Sequence, residues 1–115
     1  MTDVFICDYI RTPIGRYCGA LSSVRPADLG AIPLRALMDR NAGVDWEAVD
    51  DVIFGCVTQI GEQSANIART ALLGAGWPET IPGLSIDRKC GSGEEAVHLA
   101  AGLLATGRAD QRDTI

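Results

Sequence analysis

The sequence predicts an α/β fold, an incomplete βαβ sheet of about three strands with three helices. Short apolar runs rich in β-formers alternate with stretches whose apolar residues repeat at helical spacing. The chain has 115 residues, enough for one small domain. Hydrophobic residues make up 47% and charged residues 22%, a balance that supports a packed core and argues against gross disorder.

Residues 4–9, Val-Phe-Ile-Cys-Asp-Tyr, read as a buried strand. Pro13 and Gly15 interrupt any regular pattern after it, so residues 11–16 read as a loop. A helix is predicted from about Pro26 to Arg40, with Pro26 near its start and Leu29, Ile32, Ala36 and Leu37 on its inner side. Pro33 lies inside that span and should kink the helix or split it. Asn41, Ala42 and Gly43 end the element, and residues 45–49 form one turn. Residues 51–57 read as the second strand. The second helix spans about Ala65 to Ala75, capped by Ser64, with Ile67, Ala68, Ala71, Leu72 and Ala75 as its buried stripe. Gly76-Trp77-Pro78 closes it, and residues 82–86 form the third strand. From Gly93 to Thr106 the pattern is helical again. Ala96, Val97, Ala100, Leu103 and Leu104 share one arc, with Glu94 and His98 opposite. Residues 1–109 thus form one domain, and residues 110–115 a polar tail with no strand signal.

The net charge of −5 speaks against nucleic acid or an anionic membrane surface as the main partner. No apolar run approaches the ~20 residues needed to cross a bilayer, and no signal peptide is visible at the N-terminus. The four cysteines, Cys7, Cys18, Cys56 and Cys90, include no Cys-x-x-Cys pair, so a zinc site is not indicated and a reduced, cytoplasmic setting fits best. Cys7 and Cys56 fall inside strand-like runs and read as small buried hydrophobes. Cys18, beside Gly19, reads as structural too.

Cys90 differs from the other three. It sits where the third strand gives way to the last helix, in Asp87-Arg88-Lys89-Cys90-Gly91-Ser92-Gly93. At such an elbow the positive end of the helix points at the sulfur, and Arg88 and Lys89 add two cations beside it. Both effects favour the thiolate, which is the attacking species. Gly91 and Gly93 would let backbone N–H groups approach whatever is bonded to that sulfur. The pattern is that of an acyl-accepting nucleophile. A nucleotide-binding loop built on Gly91-Ser92-Gly93 would need a Gly-Lys-Ser/Thr run or a third glycine at dinucleotide spacing, and neither follows.

Four anchors now come together in order: residues 11–16 (Arg-Thr-Pro-Ile-Gly-Arg), residues 50–56 (Asp-Asp-Val-Ile-Phe-Gly-Cys), residues 66–69 (Asn-Ile-Ala-Arg) and residues 87–93. From about Val4 to Ala109 the chain resembles the N-terminal part of the thiolases, and among them the degradative 3-oxoadipyl-CoA type. The Arg-Thr-Pro and Cys-Gly-Ser-Gly anchors favour this family over the condensing enzymes of fatty-acid synthesis, which share the broader fold. The resemblance implies that Cys90 is the nucleophile that takes an acyl group from an acyl-CoA thioester. It implies coenzyme A thioesters as substrates with no bound cofactor, and a homo-oligomeric assembly. Asn66 and Arg69 match a helix near the dimer interface and active site, with a polar surface face as the competing reading. Glu94 departs from the pattern, standing where the family has an apolar residue on a buried helix. His98, four residues on, could pair with it. The family's activating His, its oxyanion-hole Asn/His pair and its acid/base second Cys would all lie beyond Ile115. His98 is a poor substitute, since eight residues of helix put it roughly 12 Å along the axis from Cys90. The isolated chain is therefore expected to be either the nucleophile-bearing part of a thiolase or a catalytically inactive fragment or interaction module.

Overall fold

Two parallel strands form the centre of the computed structural model, which describes residues 1–108. β1 (Val52–Gly55) pairs with β2 (Gly83–Ile86), Val52 opposite Gly83 and Gly55 opposite Ile86. Around them lie α1 (Pro26–Arg40), α2 (Ile67–Gly74) and α3 (Ser92–Ala105), with short 3₁₀ turns at Trp46–Ala48 and Gly61–Gln63. The connection from β1 through α2 to β2 is the predicted βαβ crossover. The α/β class holds. The tail predicted for residues 110–115 lies outside the described residues.

Alternation along β1 divides the molecule into layers. Val52 and Phe54 face α1 and α2, where Ala31, Leu34, Ala68, Ala71, Leu72, Ala75, Trp77 and Ile81 make one buried cluster. Ile53 and Gly55 take the opposite face, which α3 covers. Leu72, Ile81 and Val52 are the largest wholly enclosed side chains. Each contributes roughly 1.5–3 kcal/mol by leaving water. Trp77 lies against Trp46 with ring centroids 4.8 Å apart, and its indole N–H donates to the Leu34 carbonyl at 3.1 Å. That bond ties the end of α2 to the middle of α1. Arg35 adds a second tie, donating to the Gly74 carbonyl at 2.8 Å.

The predicted stripe of α2 is buried throughout: Ile67, Ala68, Ala71, Leu72 and Ala75. Its cap is Asn66 rather than Ser64, because Ala65 turns the chain through φ +62° and the Asn66 side chain then accepts from the Arg69 N–H. α1 has the predicted limits and runs through Pro33 as one helix. Its inner face is Ala31 and Leu34, with Met38 partly buried, whereas Ile32 is 46% exposed. The inner-face prediction was off by about one residue because α1 meets a helix and a strand at once, and both decide its rotation. On α3, Ala96 is buried as predicted but Val97 is 55% exposed.

The first predicted strand is absent from the ladder. Residues 4–9 pair with neither strand, and Phe5 and Ile6 are 77% and 82% exposed. Cys7 is therefore exposed, not a buried hydrophobe, and Cys18 is exposed at φ +52° in the turns that follow. Cys56, just past β1, is buried as predicted. β-propensity measures how well a residue suits a half-buried pleated surface, and no such surface lies beside residues 4–9. The segment is instead tethered at points. The Thr2 N–H donates to the Ala105 carbonyl, and the Asp8 carboxylate accepts from Arg40 at 2.9 Å and Asn41 at 2.8 Å.

Two helix starts press onto the sheet where glycine leaves room. A Cβ at Gly55 would stand 2.4 Å from the Gly93 nitrogen, and one at Gly83 would stand 2.6 Å from the Arg69 nitrogen. Both neighbours are backbone and cannot turn aside. Gly55→Ala should therefore destabilise the chain by about 1–3 kcal/mol, the usual range for overpacking, read as a lower urea midpoint with an unchanged slope. A midpoint equal to the parent's would show that α3 does not rest on β1. The Asp8 tether should also be pH-dependent. The Asn41 side-chain bond, then the Tyr9 N–H and Arg40, hold its carboxyl below the ordinary 3.8. A lowered folded value means that the tether stabilises at and above that range and is lost as pH falls through the lowered value. The Asn41 side-chain amide resonances should shift in that acid window, and Asp8→Asn should abolish the titration.

Candidate active site

The elbow after β2 is a six-residue loop closed on itself. The Asp87 carboxylate accepts from the Lys89 N–H at 2.9 Å. The Gly91 N–H donates to the Arg88 carbonyl at 3.1 Å, and the Ser92 N–H to the Lys89 carbonyl at 3.0 Å. The Ser92 hydroxyl accepts from the Arg88 N–H at 2.8 Å and donates to the Lys89 carbonyl at 2.6 Å. Within this web Lys89 adopts φ +50°, a left-handed conformation costing about 1–2 kcal/mol for a non-glycine residue. Cys90 comes next and is exposed. Gly91 is the N-cap of α3, and no side chain caps that end of the helix. The first amides of α3 are thus left without a side-chain acceptor, directly after the sulfur-bearing residue.

The cations read from the sequence are both partnered. Lys89 Nζ lies 3.0 Å from Asp87, and Arg88 pairs with Glu95. The Lys89 N–H first, and then its side chain, hold the Asp87 carboxyl below the usual range. Glu94 and Glu95 occupy the first turn of α3, where they complement the helix dipole. The charge around Cys90 is therefore balanced, not cationic. The uncapped start of α3 is the local electropositive feature left beside Cys90 once Arg88 and Lys89 are paired. A Cβ built at Gly93 would meet nothing within 4 Å, and one at Gly91 only the Arg88 carbonyl at 3.5 Å and the end of its side chain. Space beside the elbow is open at both glycines, and no contact within the described residues requires a glycine at either.

Asn66 and Arg69 belong to a different place. The Asn66 side chain accepts from the Ser85 hydroxyl at 3.1 Å and donates to the Gly83 carbonyl. Arg69 donates to the carbonyls of Ile81 and Glu79. They are not a free polar surface: their bonds go to the chain entering β2 and, at Ser85, to the strand itself. The elbow leaves the other end of that strand. Asn66 and Arg69 position β2, and β2 positions Cys90.

Glu94 is 73% exposed at its side chain and has no burial penalty to offset. His98 Nε2 stands 3.7 Å from Glu94, the pairing expected four residues apart, and its Nδ1 is 4.0 Å from Glu95. The imidazole lies on the outer side of α3, near both carboxylates at more than hydrogen-bond distance. Two concavities lie away from the elbow, one lined by Arg25, Asp28, Glu62 and Thr70, the other by Glu47, Trp77, Pro78 and Thr80. Among the described residues no acidic, histidine and cysteine side chains cluster as a metal site would require. Among the described residues no helix is long and apolar enough to cross a membrane. Ser92 is the residue that the sequence reading passed over. A serine directly before an apolar helical run signals local hydrogen bonding to the backbone, but its upstream targets are visible only in the fold.

Comparison with known proteins bears on the family. Residues 4–112 match the model of the thiolase N-terminal domain. The chain is 54% identical over 105 residues to a beta-ketoadipyl-CoA thiolase of Pseudomonas aeruginosa, covering 91% of this chain and 26% of that protein. It is 56% identical over 110 residues to a 3-oxoadipyl-CoA/3-oxo-5,6-dehydrosuberyl-CoA thiolase of Escherichia coli, covering 96% and 27%. A steroid 3-ketoacyl-CoA thiolase of Mycobacterium tuberculosis is 47% identical over the same length, again covering 96% and 27%. The chain thus spans about a quarter of the length of these relatives. With four anchors in order, a strand-to-helix elbow carrying an exposed cysteine and a family match over most of its length, the chain belongs to the thiolase family.

Proposed function

We propose that this chain supplies the acyl-accepting cysteine of a thiolase-type acyltransferase acting on 3-oxoacyl-CoA thioesters of the 3-oxoadipyl-CoA class. One observation carries the proposal: Cys90 is exposed at a left-handed elbow immediately before the uncapped start of α3. In the condensing direction the sulfur, as thiolate, attacks the carbonyl carbon of an acyl-CoA thioester. The carbonyl becomes an oxyanion, the C–S bond to coenzyme A breaks as the carbonyl re-forms, and coenzyme A leaves as thiolate and takes up a proton. The product is an acyl thioester on Cys90. The α-carbon of acetyl-CoA then gives up a proton to a base and attacks the acyl carbon, the bond from that carbon to the Cys90 sulfur breaks to return the thiolate, and thiolysis is this sequence reversed. Coenzyme A thioesters are substrates here, and no resident cofactor is required. A cytoplasmic setting, and assembly into a homo-oligomer, belong to the same proposal. The exposed apolar side chains of Phe5, Ile6, Tyr9 and Ile14 support a covering protein surface.

Turnover needs a base for the cysteine and donors for the oxyanion. Removing a single oxyanion donor commonly lowers rate by about 10²–10³. The chain's single histidine lies beside Glu94 and Glu95 on the outer side of α3. That placement favours a second reading for the chain taken alone: it accepts an acyl group without turning over.

The expected outcome is therefore acylation without catalysis. Incubation of the 115-residue chain with an acyl-CoA should add one acyl mass to the Cys90 peptide in preference to the exposed Cys7 and Cys18. Released coenzyme A should match the acyl group bound, and Cys90→Ser should show neither. Acylation spread evenly over the three cysteines would overturn the nucleophile assignment. Continuous coenzyme-A-dependent cleavage of a 3-oxoacyl-CoA would overturn the silent reading.

A further inference from the structure

We infer that Ser92 is a positioning residue, whose hydroxyl holds Lys89 in its left-handed conformation and so fixes where the Cys90 sulfur stands relative to α3. This rests on the reading of Cys90 as the nucleophile, but the observations behind it are independent of that reading. Ser92 is 4% exposed, the single buried polar side chain among the described residues. A serine that caps a helix ordinarily sits at the N-cap and accepts from an amide two or three residues ahead. Ser92 sits one position inside the helix and bonds backwards. It accepts from the Arg88 N–H and donates to the Lys89 carbonyl, so it holds the peptide groups on either side of the Arg88–Lys89 pair.

The consequence for Cys90 follows from connectivity. Lys89 at φ +50° is the one residue of the elbow in the left-handed region, and it immediately precedes the cysteine. A lysine resides there only when its surroundings over-determine the conformation. The Asp87 carboxylate fixes the Lys89 N–H, and the Ser92 hydroxyl and N–H fix its carbonyl, so both ends of that residue are held. Cys90 itself is exposed and borrows its position from these neighbours. With a glycine at the N-cap and the Ser92 hydroxyl turned upstream, the opening amides of α3 stay free of side-chain acceptors. One hydroxyl therefore serves both parts of the arrangement, setting the turn and leaving the helix end open.

The test is alkylation of the 115-residue chain by iodoacetamide, read by peptide mass spectrometry as the rate at Cys90 relative to the exposed Cys18 of the same molecule. Amide hydrogen exchange at Arg88 is measured alongside. In the parent chain Cys90 should react faster than Cys18 and the Arg88 amide should be protected. Ser92→Ala should lower the Cys90-to-Cys18 ratio about threefold to tenfold, the scale on which a helix end acts on a nearby charge, and should expose the Arg88 amide. Ser92→Thr keeps a hydroxyl and should restore both. Lys89→Gly placed on Ser92→Ala should recover the ratio without the Arg88 protection, because glycine takes a left-handed φ unaided. An unchanged ratio in Ser92→Ala, or an Arg88 amide that exchanges freely in the parent chain, overturns the inference. If Ser92→Ala does not fold, its exposed Arg88 amide counts for nothing. The decision then falls to the parent and Ser92→Thr: protection at Arg88 in both upholds the inference, and free exchange in either overturns it. If Cys90 reacts no faster than Cys18 in the parent, the nucleophile reading fails. The positioning role then stands if the Arg88 amide is protected in the parent and exposed in Ser92→Ala, and falls if it is not.

Discussion

Gly55 and the first turn of α3 meet backbone to backbone, and the place of the elbow follows from that contact. The position that a Cβ would occupy on Gly55 lies 2.4 Å from both the Gly93 nitrogen and the Ser92 carbonyl carbon. α3 can therefore rest on the end of β1 only because no side chain stands between them. The same device recurs at Gly83, where β2 receives the start of α2. Each strand thus meets a helix N-terminus at a glycine, one at its last residue and the other at its first. Packing interiors tolerate little change in volume, so these two positions fix the spacing of the layers more firmly than any larger side chain does.

From that frame the order of support runs outward to the sulfur. Asn66 and Arg69 gather the carbonyls of residues 79–83 and present β2 in register with β1. The strand ends at Ile86, and the loop from Asp87 to Ser92 folds back through five hydrogen bonds made by its own backbone and two side chains. Cys90 is an exposed residue of that loop, and its neighbours are held. A strained residue beside an exposed nucleophile fits a general pattern, in which backbone conformations of high energy persist where the surroundings over-determine them.

The charges at the elbow show how far pairing alters a reading by residue type. Arg88 and Lys89 look like two cations aimed at a thiol, yet each bonds to a carboxylate, Glu95 and Asp87, on the loop or on α3. Exposed pairs of this kind are worth little individually. Their effect here is to cancel local charge, so the helix end becomes the principal electropositive feature. Glu94 illustrates the converse. A carboxylate on a buried helix would be costly, but in this chain its side chain faces solvent beside His98.

Local periodicity by itself determined the α/β class, the limits of α1, the buried stripe of α2 and the strand-to-helix position of Cys90. Each of these depends on residues within a few positions of one another, and the 3.6-residue or two-residue repeat records them directly. Only the tertiary structure decided the rest. It left residues 4–9 unpaired, since a strand exists through its partner and no ladder reaches them. It turned α1 onto Ala31 and Leu34 instead of Ile32, since a helix lying between two neighbours takes its rotation from both. It sent Asn66 and Arg69 to the carbonyls of a distant segment and the Ser92 hydroxyl to the turn behind it. Those hydrogen bonds join groups whose proximity is a product of the fold, and no residue type announces which carbonyl it will meet.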